Sequence, residues 1–265
     1  MTDAEPYAAP TPKIFYIHDD LSDYVSRRHG EASPALRLTQ ELFTLVCRDP
    51  ERVVRLSLDS QIESVMAQGG YPPFALAIGI GRAGERVAQL LHARASWFPK
   101  ISRVDITREE DGQGGYKVVT TTGIPLRRQL PTLDTVSSLA VIDDTLFSGL
   151  TMRTVLMELP AEVRGRTQVF CLRGVAASAA DIAASCPITI GFAAPGRLLD
   201  EVSFINASGM VMRVGIRQPK EPPQAFFERP MWMHAWFPGH GDEVIALCRR
   251  LNAILEPDGC PPQFP

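Results

Sequence analysis

The stretch 139-LAVIDDTLFSGLT-151 decides how the fold of this chain is interpreted. Residues 139–142 form a short, continuous apolar run, which is typical of a strand buried in a parallel sheet. Two adjacent aspartates follow, and a segment with Ser148, Gly149 and Thr151 then leads into a helical pattern. Because neighbouring carboxylates repel each other, the aspartates add no stability to a sheet and need another explanation.

Other apolar runs of similar length alternate with helical patterns along the chain. The predicted strands are 13–17, 74–80, 101–106, 138–142, 167–172 and 188–192. Segments 34–47 and 50–68 have roughly helical spacing, and 152–159 is a clean amphipathic helix. Residues 109–138 lack a helical period, which is typical of a lid or binding loop. This alternation predicts an α/β fold with an open, mostly parallel twisted sheet flanked by helices.

The chain divides into three predicted segments. We expect residues 1–12 to be a disordered tail and 13–216 to be a core with an N-terminal helical elaboration. Residues 217–265 are expected to form an aromatic, proline-rich C-terminal extension that packs on the core. Within it, 226-FFERPMWMHAWFPGHGDE-243 has two interpretations, an acceptor-site hood or dimer contact on one side and an arm packing its aromatics on the core on the other.

The composition excludes several classes of partner. The 265 residues are 45% hydrophobic and 22% charged, as in ordinary globular proteins. A net charge of −3 gives no basis for bulk binding to nucleic acid or to an anionic membrane surface. No apolar run is long enough to span a membrane. The five cysteines are scattered without C-x-x-C spacing, which predicts reduced thiols and a cytoplasmic location.

The aspartates lie where open α/β sheets bind ligands, beyond the carboxyl end of a strand. Asp143 and Asp144 can accept hydrogen bonds from vicinal hydroxyls or help to hold a divalent cation. The following helix start offers backbone N–H groups to a phosphate, with the hydroxyls of Ser148 and Thr151 beside them. Together these features predict a site for a ribose 5-phosphate. The alternative is an Asp N-cap followed by a Ser/Thr-rich turn, which carries no function.

The whole pattern of four apolar residues, two acidic, three variable, Ser-Gly, one variable and Thr resembles the phosphoribosyl-pyrophosphate signature of type I phosphoribosyltransferases. GIGRAGERVAQLL (79–91) follows a strand where that family has its pyrophosphate-binding loop. VDITREED (104–111) and GIPL (123–126) look like segments of the pyrimidine-operon attenuator/uracil phosphoribosyltransferases. IGFAAPGRLLDEV (190–202) is similar to the purine-holding segment of hypoxanthine-guanine enzymes. The resemblance implies the type I fold with a hood and extra N- and C-terminal segments.

The resemblance also implies roles for individual residues. Asp143 and Asp144 would be the catalytic pair, contacting the ribose 2- and 3-hydroxyls and holding Mg²⁺ indirectly through Mg-phosphoribosyl pyrophosphate. The residues implied to bind phosphoribosyl pyrophosphate are Asp143, Asp144, Thr145, Leu146, Phe147, Ser148, Gly149, Leu150 and Thr151. Those implied to bind pyrophosphate are Gly81, Arg82, Ala83 and Arg108.

The acceptor base would be held by Phe192, Arg173 and Asp200, with Phe192 stacking on it. Arg173 stands where purine-type enzymes usually have a lysine, so recognition of a purine 6-oxo group is not implied. The acceptor therefore stays open among purines, pyrimidines and related bases.

The function implied is a magnesium-dependent phosphoribosyltransferase that releases pyrophosphate, acting as a homodimer. Its partners would be phosphoribosyl pyrophosphate and a base, with neither membrane nor nucleic acid involved. Two alternatives stay open. One is a non-catalytic, nucleotide-sensing regulator on the same fold, and the other is a different pentose-phosphate enzyme that uses the same pocket.

Overall fold

The computed structural model describes residues 12–113, 115–214, 216 and 221–257. Residues 1–11 lie outside this range, and so does nearly all of the predicted disordered tail. The helices of the described residues include none with the length and apolar character needed to cross a bilayer.

Strands and helices alternate along most of the described chain. The ten strands of this part of the chain are β1 (Ile14–Asp19), β2 (Val53–Ser57), β3 (Leu76–Ile80), β4 (Ile101–Val104), β5 (Ile106–Glu110), β6 (Tyr116–Thr120), β7 (Leu139–Leu146), β8 (Thr167–Val175), β9 (Ile188–Ala194) and β10 (Val202–Asn206). Its α-helices are α1 (Leu21–His29), α2 (Pro34–Val46), α3 (Leu58–Ala67), α4 (Gly81–Ala95), α5 (Leu126–Gln129), α6 (Leu150–Glu158), α7 (Ala161–Arg164), α8 (Ala176–Ala183), α9 (Ala207–Val211), α10 (Pro230–Trp236) and α11 (Gly241–Leu255).

The chain separates into two compact units. We call the described residues of Asp59–Glu109 and Tyr116–Arg197 the central unit. Those of Met1–Leu58, Glu110–Gly115 and Leu198–Pro265 form the terminal unit.

The central unit is built on a five-stranded sheet with the order β4-β3-β7-β8-β9. All four strand pairs are parallel. The strands β3 and β8 are buried almost throughout, as expected for a parallel sheet covered on both faces, and the same burial explains their continuous apolar sequences. The predicted open, mostly parallel sheet flanked by helices is therefore confirmed.

Two glycines bring helix α4 against the backbone of the sheet. A Cβ on Gly84 would lie 2.3 Å from the carbonyl oxygen of Ile142, and one on Gly79 would lie 2.4 Å from the amide nitrogen of Glu85. Neither approach is possible with a side chain present. The start of α4 consequently lies directly beside β7, the neighbour of β3 in the sheet.

The terminal unit has its own three-stranded parallel sheet, with β1 between β10 and β2. Its core joins early and late parts of the sequence, since Phe15 contacts the ring of Trp236 at a centroid distance of 5.1 Å. Trp232 and Trp236 are both buried there. The described part of the aromatic tail therefore packs its aromatics in a core, which favours the second of its two interpretations.

The two units divide the chain at other positions than the predicted segments. The pairing of β1 with β10 places the N-terminal strand and the segment after residue 197 in one sheet. Such a long-range pairing leaves no trace in local periodicity. The hood implied by the resemblance stays a prediction.

Local predictions had mixed outcomes. The helix predicted over 34–47 is present as α2, whereas the helix predicted over 50–68 is wrong in its first half, where β2 precedes α3. Pairing of β2 with β1 decides the conformation of that short segment. The region 109–138, predicted as a loop, contains β6 and α5.

Candidate ligand site at the carboxyl ends of the parallel strands

The aspartate pair lies within β7, close to its carboxyl end. The strand continues to Leu146, beyond the predicted end at residue 142, because it goes on pairing with β8 as far as Gly174. The first four residues of β7 are buried, and Asp143, Asp144 and Thr145 are half-buried. The strand therefore leaves the buried core at the aspartates, near the carboxyl ends of the parallel strands.

Asp144 is held by two side chains. Arg173 donates from Nη2 to its Oδ2 over 2.8 Å, and Thr145 donates from Oγ1 to the same oxygen over 3.1 Å. The Arg173 side chain is 0% exposed, whereas that of Asp144 is 18% exposed. One of the two neighbouring negative charges is thus offset by a fully buried guanidinium.

Asp143 has a different environment. Its Oδ1 accepts a hydrogen bond from the Asp144 amide over 2.8 Å. Burial and the adjacent charge of Asp144 raise the pKa of Asp143 well above its ordinary value, while the charge of Arg108 acts in the opposite direction. The two carboxylates of the pair are therefore not equivalent.

The segment after β7 starts a helix in the predicted way. Gly149 has a φ of 73°, a left-handed conformation that favours glycine, and α6 begins at Leu150. The Leu150 amide points toward Oγ of Ser148 over 3.4 Å. The amides of a first helical turn have no acceptor within the helix, so they offer donors to an anion.

Three of the four residues predicted to bind pyrophosphate lie at a second helix start. No separate loop follows β3, because α4 begins at Gly81 and includes Arg82 and Ala83 in its first turn. Since β3 and β7 are neighbours in the sheet, α4 and α6 begin after adjacent strands. Two helix starts therefore follow adjacent strands, and the aspartates lie near the carboxyl end of one of these strands.

Arg108, predicted to bind pyrophosphate, is brought to the segment after the aspartates. Its guanidinium carbon lies 4.5 Å from the ring centroid of Phe147 and 5.9 Å from that of Tyr116. Both distances are within the range of cation–π interactions. Arg108 thus adds a positive charge near the carboxyl end of β7, consistent with its lowering effect on the pKa of Asp143.

The residues predicted to bind the base have different environments. Phe192 is half-buried on β9, opposite Arg173 in the strand register. The Arg173 side chain has no exposed surface and offers nothing to a ligand in this conformation. Asp200 belongs to the terminal unit. Their roles in holding a base stay predictions.

Sequence reasoning missed Gln61 on α3. This side chain is buried, and its Oε1 accepts a hydrogen bond from Nη1 of Arg173 over 3.3 Å. A glutamine in an amphipathic helix gives no signal of such a contact. Only the packing of α3 near the end of β8 brings the two residues together.

No protein-family model and no curated protein matches the chain. Among solved structures, a purine phosphoribosyltransferase from Pyrococcus horikoshii is similar with 17% identity and a TM-score of 0.38, over 56% of this chain and 86% of that one. An APRTase from Giardia lamblia complexed with 9-deazaadenine is similar with 15% identity and a TM-score of 0.37, over 57% and 84%.

A third similar structure is a hypothetical protein from Neisseria gonorrhoeae with bound ppGpp. It shares 19% identity with a TM-score of 0.43, over 56% of this chain and 85% of that one. At these identities and TM-scores, the three similarities carry no argument about the ligand of this chain.

Proposed function

We propose that the chain is a magnesium-dependent phosphoribosyltransferase, which transfers ribose 5-phosphate from phosphoribosyl pyrophosphate to a nitrogenous base and releases pyrophosphate. One observation carries the proposal. Two adjacent carboxylates lie at the carboxyl end of β7, and helices α4 and α6 begin after β3 and β7, which are neighbours. A donor molecule with a diol between two phosphate groups has matching chemistry.

Each part of the donor has a counterpart in the candidate site. The ribose hydroxyls donate to the carboxylates of Asp143 and Asp144. The 5-phosphate accepts hydrogen bonds from the amides at the start of α6, which begins directly after Gly149. The pyrophosphate lies at the start of α4, near the positive charge of Arg108.

The donor set at this edge suits magnesium, which prefers oxygen ligands and keeps substrate phosphates in its coordination sphere. The described residues contain no group of three His, Cys, Asp or Glu side chains able to hold a metal ion by themselves. We therefore assign Asp143 and Asp144 an indirect role, in which they hold the ion together with the donor. When bound, magnesium would neutralise charge on the departing pyrophosphate.

In the reaction, the bond between the anomeric carbon and the pyrophosphate oxygen breaks, a bond from the base nitrogen to that carbon forms, and the proton of that nitrogen is released to water. Asp143 and Asp144 orient the ribose, so that the anomeric carbon faces the incoming base. The helix starts and Arg108 stabilise the charge that develops on pyrophosphate, because these donors are already in place. The proposal also includes a cytoplasmic location, as the scattered cysteines predict, and a homodimer, as the resemblance implies.

Two measurements test the proposal. The first is calorimetric titration with phosphoribosyl pyrophosphate and magnesium, in which we expect saturable binding that depends on magnesium. The second measures pyrophosphate release with a panel of purines, pyrimidines and simple azoles, of which at least one is expected to stimulate release. Absence of donor binding contradicts the proposal. Donor binding without base-dependent release contradicts catalysis and supports the nucleotide-sensing alternative.

A further inference from the structure

We propose that Arg173 is a positioning residue for the donor, because it fixes the orientation of Asp144, and that Gln61 in turn fixes Arg173. This inference rests on the proposed function, and it changes the predicted role of Arg173. The resemblance assigns Arg173 to the acceptor base, whereas its contacts connect it to the carboxylate that meets the ribose.

The charged side chain of Arg173 is buried. Arg173 is among the largest fully buried side chains of the described residues. A guanidinium is always protonated at physiological pH, so its charge is permanent as well as buried. A buried charge is costly unless it is paired and hydrogen-bonded, and Asp144 supplies the pairing carboxylate at 2.8 Å. Turning the Asp144 carboxylate away would break this ion pair, so the orientation of Asp144 is strongly constrained.

The guanidinium of Arg173 has a second hydrogen-bond partner, Gln61. Gln61 accepts a hydrogen bond from Nη1, on the other side of the guanidinium from the bond to Asp144. Two further side chains attach this region to β9: Ser64 of α3, the helix that carries Gln61, and Gln68, the residue directly after the helix. Ser64 donates to the carbonyl oxygen of Gly191 over 2.6 Å, and Gln68 donates to that of Ile190 over 2.7 Å. The acceptor of Arg173 is thus itself fixed to the sheet.

The register of β7 and β8 also directs two donors toward Asp144. Thr145 of β7 lies opposite Arg173 of β8. Thr145 also donates to Oδ2 of Asp144, the oxygen that Arg173 contacts. Two donors from adjacent strands therefore converge on one carboxylate oxygen. A carboxylate held in this way meets a ligand hydroxyl without losing side-chain entropy on binding, which is the advantage of a pre-organised site.

The inference separates donor from acceptor effects. If Arg173 positions Asp144, replacing it weakens binding of the donor and leaves the ranking of acceptor bases unchanged. If Arg173 contacts the base, replacing it changes the KM for the base and the ranking of bases, while donor affinity is retained. The two roles therefore differ in which substrate responds.

The test is a double-mutant cycle on donor affinity, measured by calorimetric titration of the full chain with Mg-phosphoribosyl pyrophosphate. Arg173→Met is expected to weaken binding about ten-fold or more, as for the loss of a charged hydrogen bond. Asp144→Asn is expected to weaken it similarly, and the double variant no further than the weaker-binding single variant. Arg173→Lys should recover part of the loss, since it restores the charge without the planar guanidinium. If the loss of donor affinity in the double variant equals the product of the two single-variant losses, the assignment is overturned.

Phe170→Leu is the matched control. Phe170 is fully buried on the same strand, so the variant loses stability without touching the candidate site. Its donor affinity is expected to equal that of the wild type. A similar loss of donor affinity in Phe170→Leu and Arg173→Met would show that Arg173 acts only through general stability, and it would overturn the assignment. Stability of every variant is measured by urea denaturation.

Gln61→Met provides a milder variant in case Arg173→Met does not fold. It removes the acceptor behind Arg173 while keeping an unbranched side chain, and it is expected to weaken donor binding several-fold. Unchanged donor affinity in Gln61→Met would overturn its role in the chain of contacts. If the wild type binds the donor and Arg173→Met binds it equally well, only this assignment fails. If the wild type does not bind the donor, the proposed function fails as well.

Discussion

The molecule contains two doubled aspartates that look alike in sequence. FYIHDD (15–20) and LAVIDD (139–144) each consist of a mostly apolar run followed by Asp-Asp. The strands β1 and β7 are each placed between two parallel neighbours in their own sheets. Their carboxylates nevertheless make different contacts, and the contacts distinguish a structural pair from a candidate ligand pair.

The pair in the terminal unit holds helix starts. Asp19 accepts a hydrogen bond from the Ser22 amide in the first turn of α1 over 2.9 Å. Asp20 accepts one from the Ser208 amide in α9 over 2.9 Å, and also one from the Ser208 hydroxyl. The structural alternative considered for Asp143 and Asp144, an aspartate capping a helix, therefore describes this other pair.

The pair in the central unit caps no such helix start. The helix after β7 begins beyond Gly149, several residues past both aspartates. Asp144 is paired with a buried arginine, and Asp143 has a raised pKa. Carboxylates that are not used to start a helix, and that repel each other, are costly to maintain. The contacts of the two pairs, and not their sequences, therefore distinguish the candidate site from the structural pair.

The largest expected effect is on activity. Asp143→Asn combined with Asp144→Asn should reduce base-dependent pyrophosphate release more than about a hundred-fold, because both acceptors for the ribose hydroxyls lose their charge. The measurement is the initial rate of pyrophosphate release, with circular dichroism to verify folding. Retained activity in a folded double variant would remove both residues from the mechanism and erase the difference between the two pairs.

The second effect is on stability and concerns the other pair. Asp20→Ala is expected to lower the free energy of unfolding by about 1 to 2 kcal/mol, because the buried Ser208 amide loses its acceptor. Urea denaturation measures this loss, and Ser208→Ala should show a smaller one. Donor affinity of the folded Asp20→Ala protein should be unchanged. A selective loss of donor binding would contradict a structural role for this pair.

The third effect depends on pH and tests whether ionised Asp143 is costly. Because its pKa is raised in the folded protein, the native state binds more protons than the unfolded state above the ordinary aspartate pKa. The stability present at low pH is therefore lost as the pH rises through the raised pKa. Asp143→Asn should thus stabilise the protein relative to wild type at about pH 8 and lose this advantage toward about pH 4. Thermal unfolding across this range measures it. A stability advantage of Asp143→Asn over the wild type that grows as the pH falls would contradict the raised pKa.

The smallest effect compares the arginine partners of the two pairs. Arg55 donates from Nε to Asp19 over 3.0 Å, and its side chain is 47% exposed, whereas that of Arg173 is fully buried. Arg55→Gln is expected to cost about 1 kcal/mol or less, because the Arg55 side chain is half exposed and the buried Asp19 carboxylate keeps its hydrogen bond from the Ser22 amide. Urea denaturation measures the change, with Arg94→Gln as a control at a pair in which both side chains are exposed. If Arg55→Gln lowers the free energy of unfolding as much as Arg173→Met does, the burial of the arginine does not distinguish the two pairs.

Several features of the fold were predictable from local sequence. Continuous apolar runs predicted β3, β7 and β8, because parallel strands buried on both faces leave no alternation. Gly149 was predicted at the start of a helix and has the backbone conformation that favours glycine. Local patterns carry this information because it depends on neighbouring residues.

Other features depend on contacts between distant residues. The pairing of β1 with β10 joins segments that are far apart in the sequence, and β2 was missed because its conformation follows from pairing with β1. Arg173 was assigned to the base by its position at a strand end. The direction of a long side chain and its buried partner Gln61 become visible only when helix and sheet are packed.

The close contact of Gly84 with the Ile142 carbonyl oxygen has a consequence for ligand length. With no side chain between them, the first turn of α4 and the end of β7 are separated only by the thickness of two polypeptide backbones. A single methyl group at position 84 would have to push the helix start away from the strand. Gly84 therefore keeps the start of α4 close to the end of β7. Under the proposed function, this closeness limits how far the pyrophosphate of a bound donor can lie from its ribose.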